Sequence, residues 1–91
     1  SRAYPKRISG KLLNYKTDVE KGKANFEWKE NTKDNSLIYI PEFYKLDNSK
    51  IQLTPEGKGF ELNKVEGGWE IDIPSIKKQR KLLIEQTISM D

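Results

Sequence analysis

Lys23-Ala24-Asn25-Phe26-Glu27-Trp28-Lys29-Glu30 alternates between apolar and polar residues almost without exception. Side chains along a strand point to opposite faces in turn. Ala24, Phe26 and Trp28 therefore share one face, and Asn25, Glu27 and Lys29 share the other. Upstream, residues 11–17 read as a partner strand with Leu13 and Tyr15 on one face. Asp18-Val19-Glu20-Lys21-Gly22 between them reads as a hairpin connection, with Gly22 free to take a positive φ.

The same pattern continues downstream. After the polar loop Asn31-Thr32-Lys33-Asp34-Asn35-Ser36, the run Leu37-Ile38-Tyr39-Ile40 is nearly continuously apolar. It predicts a central strand covered on both faces and ended by Pro41, which has no N–H to donate. Residues 42–48 read as irregular, with Phe43, Tyr44 and Leu46 covering part of the core. Further strands are predicted at 50–53, 59–63, 69–73 and 81–88. Thr54-Pro55-Glu56-Gly57 has type I or II turn chemistry, and Glu66-Gly67-Gly68 reads as a tight hairpin turn. Trp69, Ile71 and Ile73 share a face, leaving Glu70 and Asp72 to water. In the last strand Leu82, Ile84, Gln86 and Ile88 alternate with Leu83, Glu85 and Thr87. A helix over 75–85 with Ser75 as N-cap and a basic face competes for that region, but the meander needs a closing strand there. The expectation is an all-β fold: a small, immunoglobulin-like antiparallel β-sandwich of about seven strands, forming a single domain over 1–91.

Bulk properties agree with a thin core and a solvated exterior. The chain has 91 residues, of which 34% are hydrophobic and 34% charged. Two Trp, four Tyr and three Phe supply the burial that a disordered chain lacks. There is no Cys, which excludes disulfides and thiolate metal sites. No apolar run approaches the length of a membrane span. The opening Ser1-Arg2-Ala3, without an initiator Met, reads as a processed or excised piece of something larger. Net charge is +3, with Lys and Glu interleaved along most segments; only Lys77-Lys78-Gln79-Arg80-Lys81 is locally dense and reads as a charged, solvated loop. That distribution gives no basic stripe for nucleic acid.

Chemistry is hard to place on this chain. Histidine is absent, which removes the commonest general base and neutral metal ligand. No phosphate-cradling glycine loop is present, since Gly57-Lys58-Gly59 is too short and lies between strands. Glu70 and Asp72 share a face as a glycosidase pair would, but they read as the wet side of a strand, as do Glu27 and Glu61. Trp28 and Trp69 are in phase with apolar neighbours and read as core. No catalytic residue and no cofactor or metal site is expected.

Certain blocks look familiar: Arg2-Ala3-Tyr4-Pro5, Ile8-Ser9-Gly10, Asp18 to Gly22 leading into Lys23-Ala24-Asn25-Phe26-Glu27-Trp28, and Leu37-Ile38-Tyr39-Ile40-Pro41. In order and spacing they resemble the small β-sandwich that follows the catalytic barrel in endoglycoceramidases and related glycosylceramidases of glycoside hydrolase family five. The likeness departs after Tyr44, where that family often has Pro and this chain has Lys45. It implies a non-catalytic C-terminal module that packs on and stabilises a TIM-barrel glycosidase acting on glycosylceramide-type glycolipids. The barrel, with its catalytic glutamates, is not in these 91 residues. The implied partner is that barrel within the same chain, with a glycolipid or membrane surface reached through the parent and a secreted or membrane-associated setting. Tyr4, Pro5, Phe43 and Tyr44 are the candidate contact surface. Three other readings compete. A bacterial lipoprotein carrier is suggested by Ile8-Ser9-Gly10-Lys11-Leu12, but is too long a fold for this chain. A free carbohydrate-binding module and a small nucleic-acid-binding barrel are the others.

Overall fold

A computed structural model describes residues 2–85. Among them are eight strands: β1 (Tyr4–Arg7), β2 (Gly10–Asp18), β3 (Lys23–Glu30), β4 (Ser36–Pro41), β5 (Ile51–Thr54), β6 (Glu61–Val65), β7 (Gly68–Ile73) and β8 (Gln79–Ile84). They form two antiparallel four-stranded sheets, ordered β1-β4-β7-β6 and β2-β3-β8-β5. The expected β-sandwich is what the structure shows.

Register explains how the sheets find each other. Phe26 lies opposite Leu82, Ala24 opposite Ile84, and Ile84 in turn opposite Ile51. On the other sheet Ile38 faces Ile71 and Ile40 faces Trp69. Directly opposed residues share a face, so each sheet turns one apolar side inward. Between the sheets lie Ala24, Phe26, Trp28, Ile38, Ile40, Tyr44, Ile71, Ile73, Leu82 and Ile84, all buried. At roughly 1.5–3 kcal/mol for each large side chain buried, this layer dominates the folding energy.

Several expectations are corrected by this arrangement. Tyr4–Arg7, not anticipated as a strand, pairs with β4 and raises the count from about seven to eight. Its alternation is hidden because Pro5 and two basic residues occupy an edge. In β2, Leu12 lies opposite Trp28 and Asn14 opposite Glu27, which leaves Leu13 as an extra residue. That bulge shifts the phase. Tyr15 turns inward to stack on Phe26 at 5.2 Å, while Leu13 is exposed and does not share its face. Trp69 is only half-buried, with the Lys64 ammonium 4.7 Å from its ring centre. The apolar run of β4 is not covered on both sides: Ile38 and Ile40 are buried, but Leu37 and Tyr39 are half-buried on the outer face.

Turns also differ in place. The hairpins at 18–22 and 66–68 form as expected, with Gly22 and Gly67 at φ 63° and 82°. After β5 the hydrogen-bonded turn is shifted two residues along, from Glu56 O to Gly59 N, with Gly57 at φ 56°. The strand predicted at 59–63 accordingly starts only at Glu61. Residues 75–85 are not helical: β8 runs Gln79–Ile84, and residues 86–88 of the predicted strand lie outside the described residues.

All the connections fall at two ends. The chain enters at Ala3 on the end that also holds the β2–β3 hairpin, residues 42–50 and the β6–β7 turn. The opposite end gathers the β1–β2, β3–β4, β5–β6 and β7–β8 loops. The eight residues of β3 alone separate these ends by about 27 Å, within overall dimensions of 42 × 27 × 21 Å.

Candidate functional site

At the entry end, the four residues singled out as a contact surface separate into different environments. Tyr44 is fully buried: its ring belongs to the core and its hydroxyl donates to the Lys23 carbonyl at 3.3 Å. Burial pushes this phenol above its usual pKa. Its side chain is therefore not a surface that a partner could touch. Phe43, one residue earlier, is 42% exposed and lies 5.0 Å from the Tyr44 ring. A 3-10 turn over Glu42–Tyr44 produces this split, closed by Lys45 in the left-handed region at φ 49°. Proline cannot adopt that φ, so Lys45→Pro would break this turn. Glu42 N–H donates to the Gly67 carbonyl at 2.9 Å, which ties this turn to the neighbouring hairpin.

Tyr4 is 44% exposed on the outer face of β1, with its ring 5.3 Å from that of Tyr39. Pro5 beside it is half-buried. A further exposed apolar residue at this end is Val19, at the tip of the β2–β3 hairpin. Sequence reasoning passed over it because a lone Val in a charged turn carries no pattern. At the entry end Tyr4, Val19 and Phe43 are thus large apolar side chains left exposed.

At the far end, Lys77, Lys78 and Lys81 of the basic cluster are exposed as expected, and Arg80 alone departs from that reading. Arg80 is not solvated: it is buried beside Glu30, with Nη1 2.9 Å from Oε2 and both side chains fully inaccessible. Glu30 also accepts from Trp28 Nε1 at 3.3 Å and from the Ile76 and Lys78 N–H groups at 2.9 and 3.3 Å. Arg80 donates to the Pro55, Glu56 and Pro74 carbonyls. One ion pair therefore fastens β3, the β5–β6 loop and the β7–β8 loop together. A planar guanidinium with five donors suits this task, since it can serve several acceptors at fixed angles.

The carboxylates considered for catalysis are engaged in other ways. Glu70 pairs with Lys6 at 2.5 Å, and Asp72 accepts from Asn35 Nδ2 at 2.7 Å. Glu27 accepts from the amides of Asn14 and Asn25, both at 3.0 Å, and these hydrogen bonds hold its carboxyl below the usual range. Among the described residues no group of three or more potential ligands is placed to hold a metal ion.

The model of the glycoside hydrolase family 5 C-terminal domain matches residues 2–86, nearly the whole chain. The chain belongs to this family. No curated protein matches it. Family 5 C-terminal domains accompany the catalytic part of a glycoside hydrolase and are generally non-catalytic themselves, in keeping with the engaged carboxylates. The blocks at the start of the chain have roles in the fold. Ala3 is buried under β2, where its carbonyl accepts from the Tyr15 hydroxyl. Gly10 sits at φ 142°, and a Cβ there would lie 2.2 Å from the Lys29 carbonyl oxygen.

Proposed function

We propose that this chain is the non-catalytic C-terminal accessory domain that packs on the TIM barrel of a glycosidase and stabilises it, and that the parent enzyme cleaves glycosylceramide-type glycolipids. The observation that carries the reading is the family match over residues 2–86. The accessory role gains support from the entry end, where Tyr4, Val19 and Phe43 are exposed beside the point at which the chain arrives. Contact there shields apolar surface at the shortest distance from the linker. A lipoprotein-carrier reading finds no support, because the space between the sheets is filled by Phe26, Trp28, Tyr44 and the aliphatic core.

The test begins with the reading frame preceding Ser1. A barrel of about 250 residues or more is expected there, and a frame without one overturns the proposal. In the parent enzyme, Phe43→Ser with Tyr4→Ser is expected to lower the barrel's melting temperature while leaving the domain's own unfolding in place. An unchanged barrel transition removes these residues from the contact. Hydrolysis of glucosylceramide against a soluble aryl β-glucoside then separates glycolipid specificity from general β-glycosidase activity.

A further inference from the structure

The loops at the far end of the sandwich carry a local excess of positive charge. They present Lys33, Lys58, Lys77 and Lys78 against Asp34 and Glu56, with Arg7 and Glu61 at adjoining strand ends. Sequence order spreads these lysines over three connections, which is why no stripe is visible in the sequence. Among the described residues none of Lys33, Lys58, Lys77 and Lys78 forms an ion pair, as is also true of Lys11, Lys16, Lys21, Lys29, Lys45 and Lys81. Lys33, Lys58 and Lys77 rim an open depression of about 410 Å³ whose floor is Ser75 and the half-buried Ile76.

This surface is firmly supported from beneath. Glu30 holds the backbone of Ile76 and Lys78. Ser75 Oγ donates to the Thr32 carbonyl at 2.6 Å and accepts from Lys77 N–H at 3.2 Å, which joins the loops bearing Lys33 and Lys77. Arg80 ties in the loop bearing Lys58 through Glu56 O. Lys77 itself sits in the left-handed region at φ 55°. Because Glu30 and Arg80 cancel within the core, the rim lysines face outward over a neutral base.

We propose that this end docks on an anionic lipid surface, with Lys33, Lys58 and Lys77 meeting phosphate or carboxylate headgroups and Ile76 facing the interface. Charge complementarity and position carry the choice of occupant. Lysines on an open face with an aliphatic centre suit a layer of headgroups, each near the surface contributing to binding. The exposed aromatics Tyr4 and Phe43 lie at the other end, and the half-buried Phe60 is the lone ring in these loops, which is too few for the successive stacking that single-stranded nucleic acid uses. The far end also lies opposite the chain's entry, so a preceding domain leaves it free. The inference stands on this geometry and does not depend on the glycolipid reading.

The experiment uses the 91-residue chain and vesicles of phosphatidylcholine with or without phosphatidylserine, read by co-sedimentation at low and high salt. Binding is expected only with phosphatidylserine, and it should weaken sharply with salt. The triple variant Lys33→Gln, Lys58→Gln, Lys77→Gln should lose roughly five-fold per lysine, about 100-fold in all. A control, Lys16→Gln, Lys21→Gln, Lys45→Gln, removes equal charge toward the entry end and should retain most of the binding. Circular dichroism confirms that both variants are folded. Equal losses in the two variants overturn the proposal in favour of net charge alone. Equal binding to neutral vesicles overturns it too. So does complete displacement from the vesicles by inorganic phosphate at matched ionic strength, which would mark a soluble-anion site, or preferential binding to single-stranded DNA.

Discussion

Replacing Arg80 by Met removes the guanidinium and keeps much of its bulk, leaving Glu30 with its carboxylate buried. Three donors to that carboxylate survive, from Trp28, Ile76 and Lys78, but its compensating charge is gone. The Pro74, Pro55 and Glu56 carbonyls lose their donor as well. Pro55 and Glu56 are exposed and can recruit water, whereas Pro74 is half-buried. Breaking one side of a buried pair costs about 3–5 kcal/mol, and the loss here should fall in that range. For a domain of this size that is a drop in melting temperature of about 12–25 °C. Total stability for such a chain is about 5–14 kcal/mol, so the variant should still fold at room temperature. Urea unfolding followed by Trp fluorescence reads the effect at its source, since the Trp28 indole donates to Glu30. Arg80→Lys keeps the charge but cannot serve four acceptors in one plane, and it should recover only part of the loss. A cost below about 1 kcal/mol for Arg80→Met, or full recovery by Lys, would refute the fastening role.

Gly68→Ala should be severely destabilising, because a Cβ would lie 2.1 Å from the Ile40 carbonyl oxygen; separating β4 from β7 is expected to cost about 2–3 kcal/mol, checked by thermal melting. Tyr44→Phe should cost about 1 kcal/mol through loss of the bond to Lys23 O. It should also flatten the alkaline limb: the unfolded chain releases this proton near the ordinary value of 10.0 while burial makes the folded chain retain it, so wild-type stability falls as pH rises above that value. Asp47 shows the opposite sign. Hydrogen bonds from the Ser49 hydroxyl and N–H hold its pKa below the ordinary 3.8, so its contribution is present above that value and is lost as pH falls through the folded pKa. Asp47→Asn should therefore shallow the acid limb of melting temperature against pH.

The parts of the fold visible in the sequence are those where one residue's side is set by its neighbours. Ala24-Phe26-Trp28 and Ile71-Ile73 face inward because alternation on a two-layer sheet permits nothing else. The positions that misled are those where tertiary context interrupts that rule. Leu13 changes phase because a bulge inserts one residue into β2. Phe43 and Tyr44 are adjacent aromatics in an irregular segment, and a 3-10 turn sends one outward and the other into the core. Arg80 is hidden most thoroughly. Within Lys77-Lys78-Gln79-Arg80-Lys81 it looks like one more solvated cation, yet it is in register with Trp28 on the inner face of β8. Its phase with Leu82 and Ile84 was the available signal, and so was the same phase of Glu30 with Trp28 on β3. An acid and a base, each continuing an apolar face, are candidates for one another.

The placement of that pair bears on how so thin a core supports two different ends. At the entry end the core reaches the last turn, with Tyr44 buried beneath residues 42–44, and the apolar groups left over are exposed Tyr4, Val19 and Phe43. At the far end the apolar inner face of the second sheet runs out at Trp28 and Leu82, and the next pair toward the loops is Glu30 with Arg80. Apolar residues in those positions would seal the end but could not satisfy the N–H groups of Ile76 and Lys78 or the carbonyls of Pro55 and Pro74, because only a charged, multiply bonding pair reaches all of them. Such loops can then carry unpaired lysines at their rims, since their backbone is held from within rather than by surface ion pairs. Screening over about 8 Å at physiological salt isolates that charge from the entry end. An accessory domain built in this way can meet an apolar partner with one end and an anionic surface with the other without either contact disturbing the other.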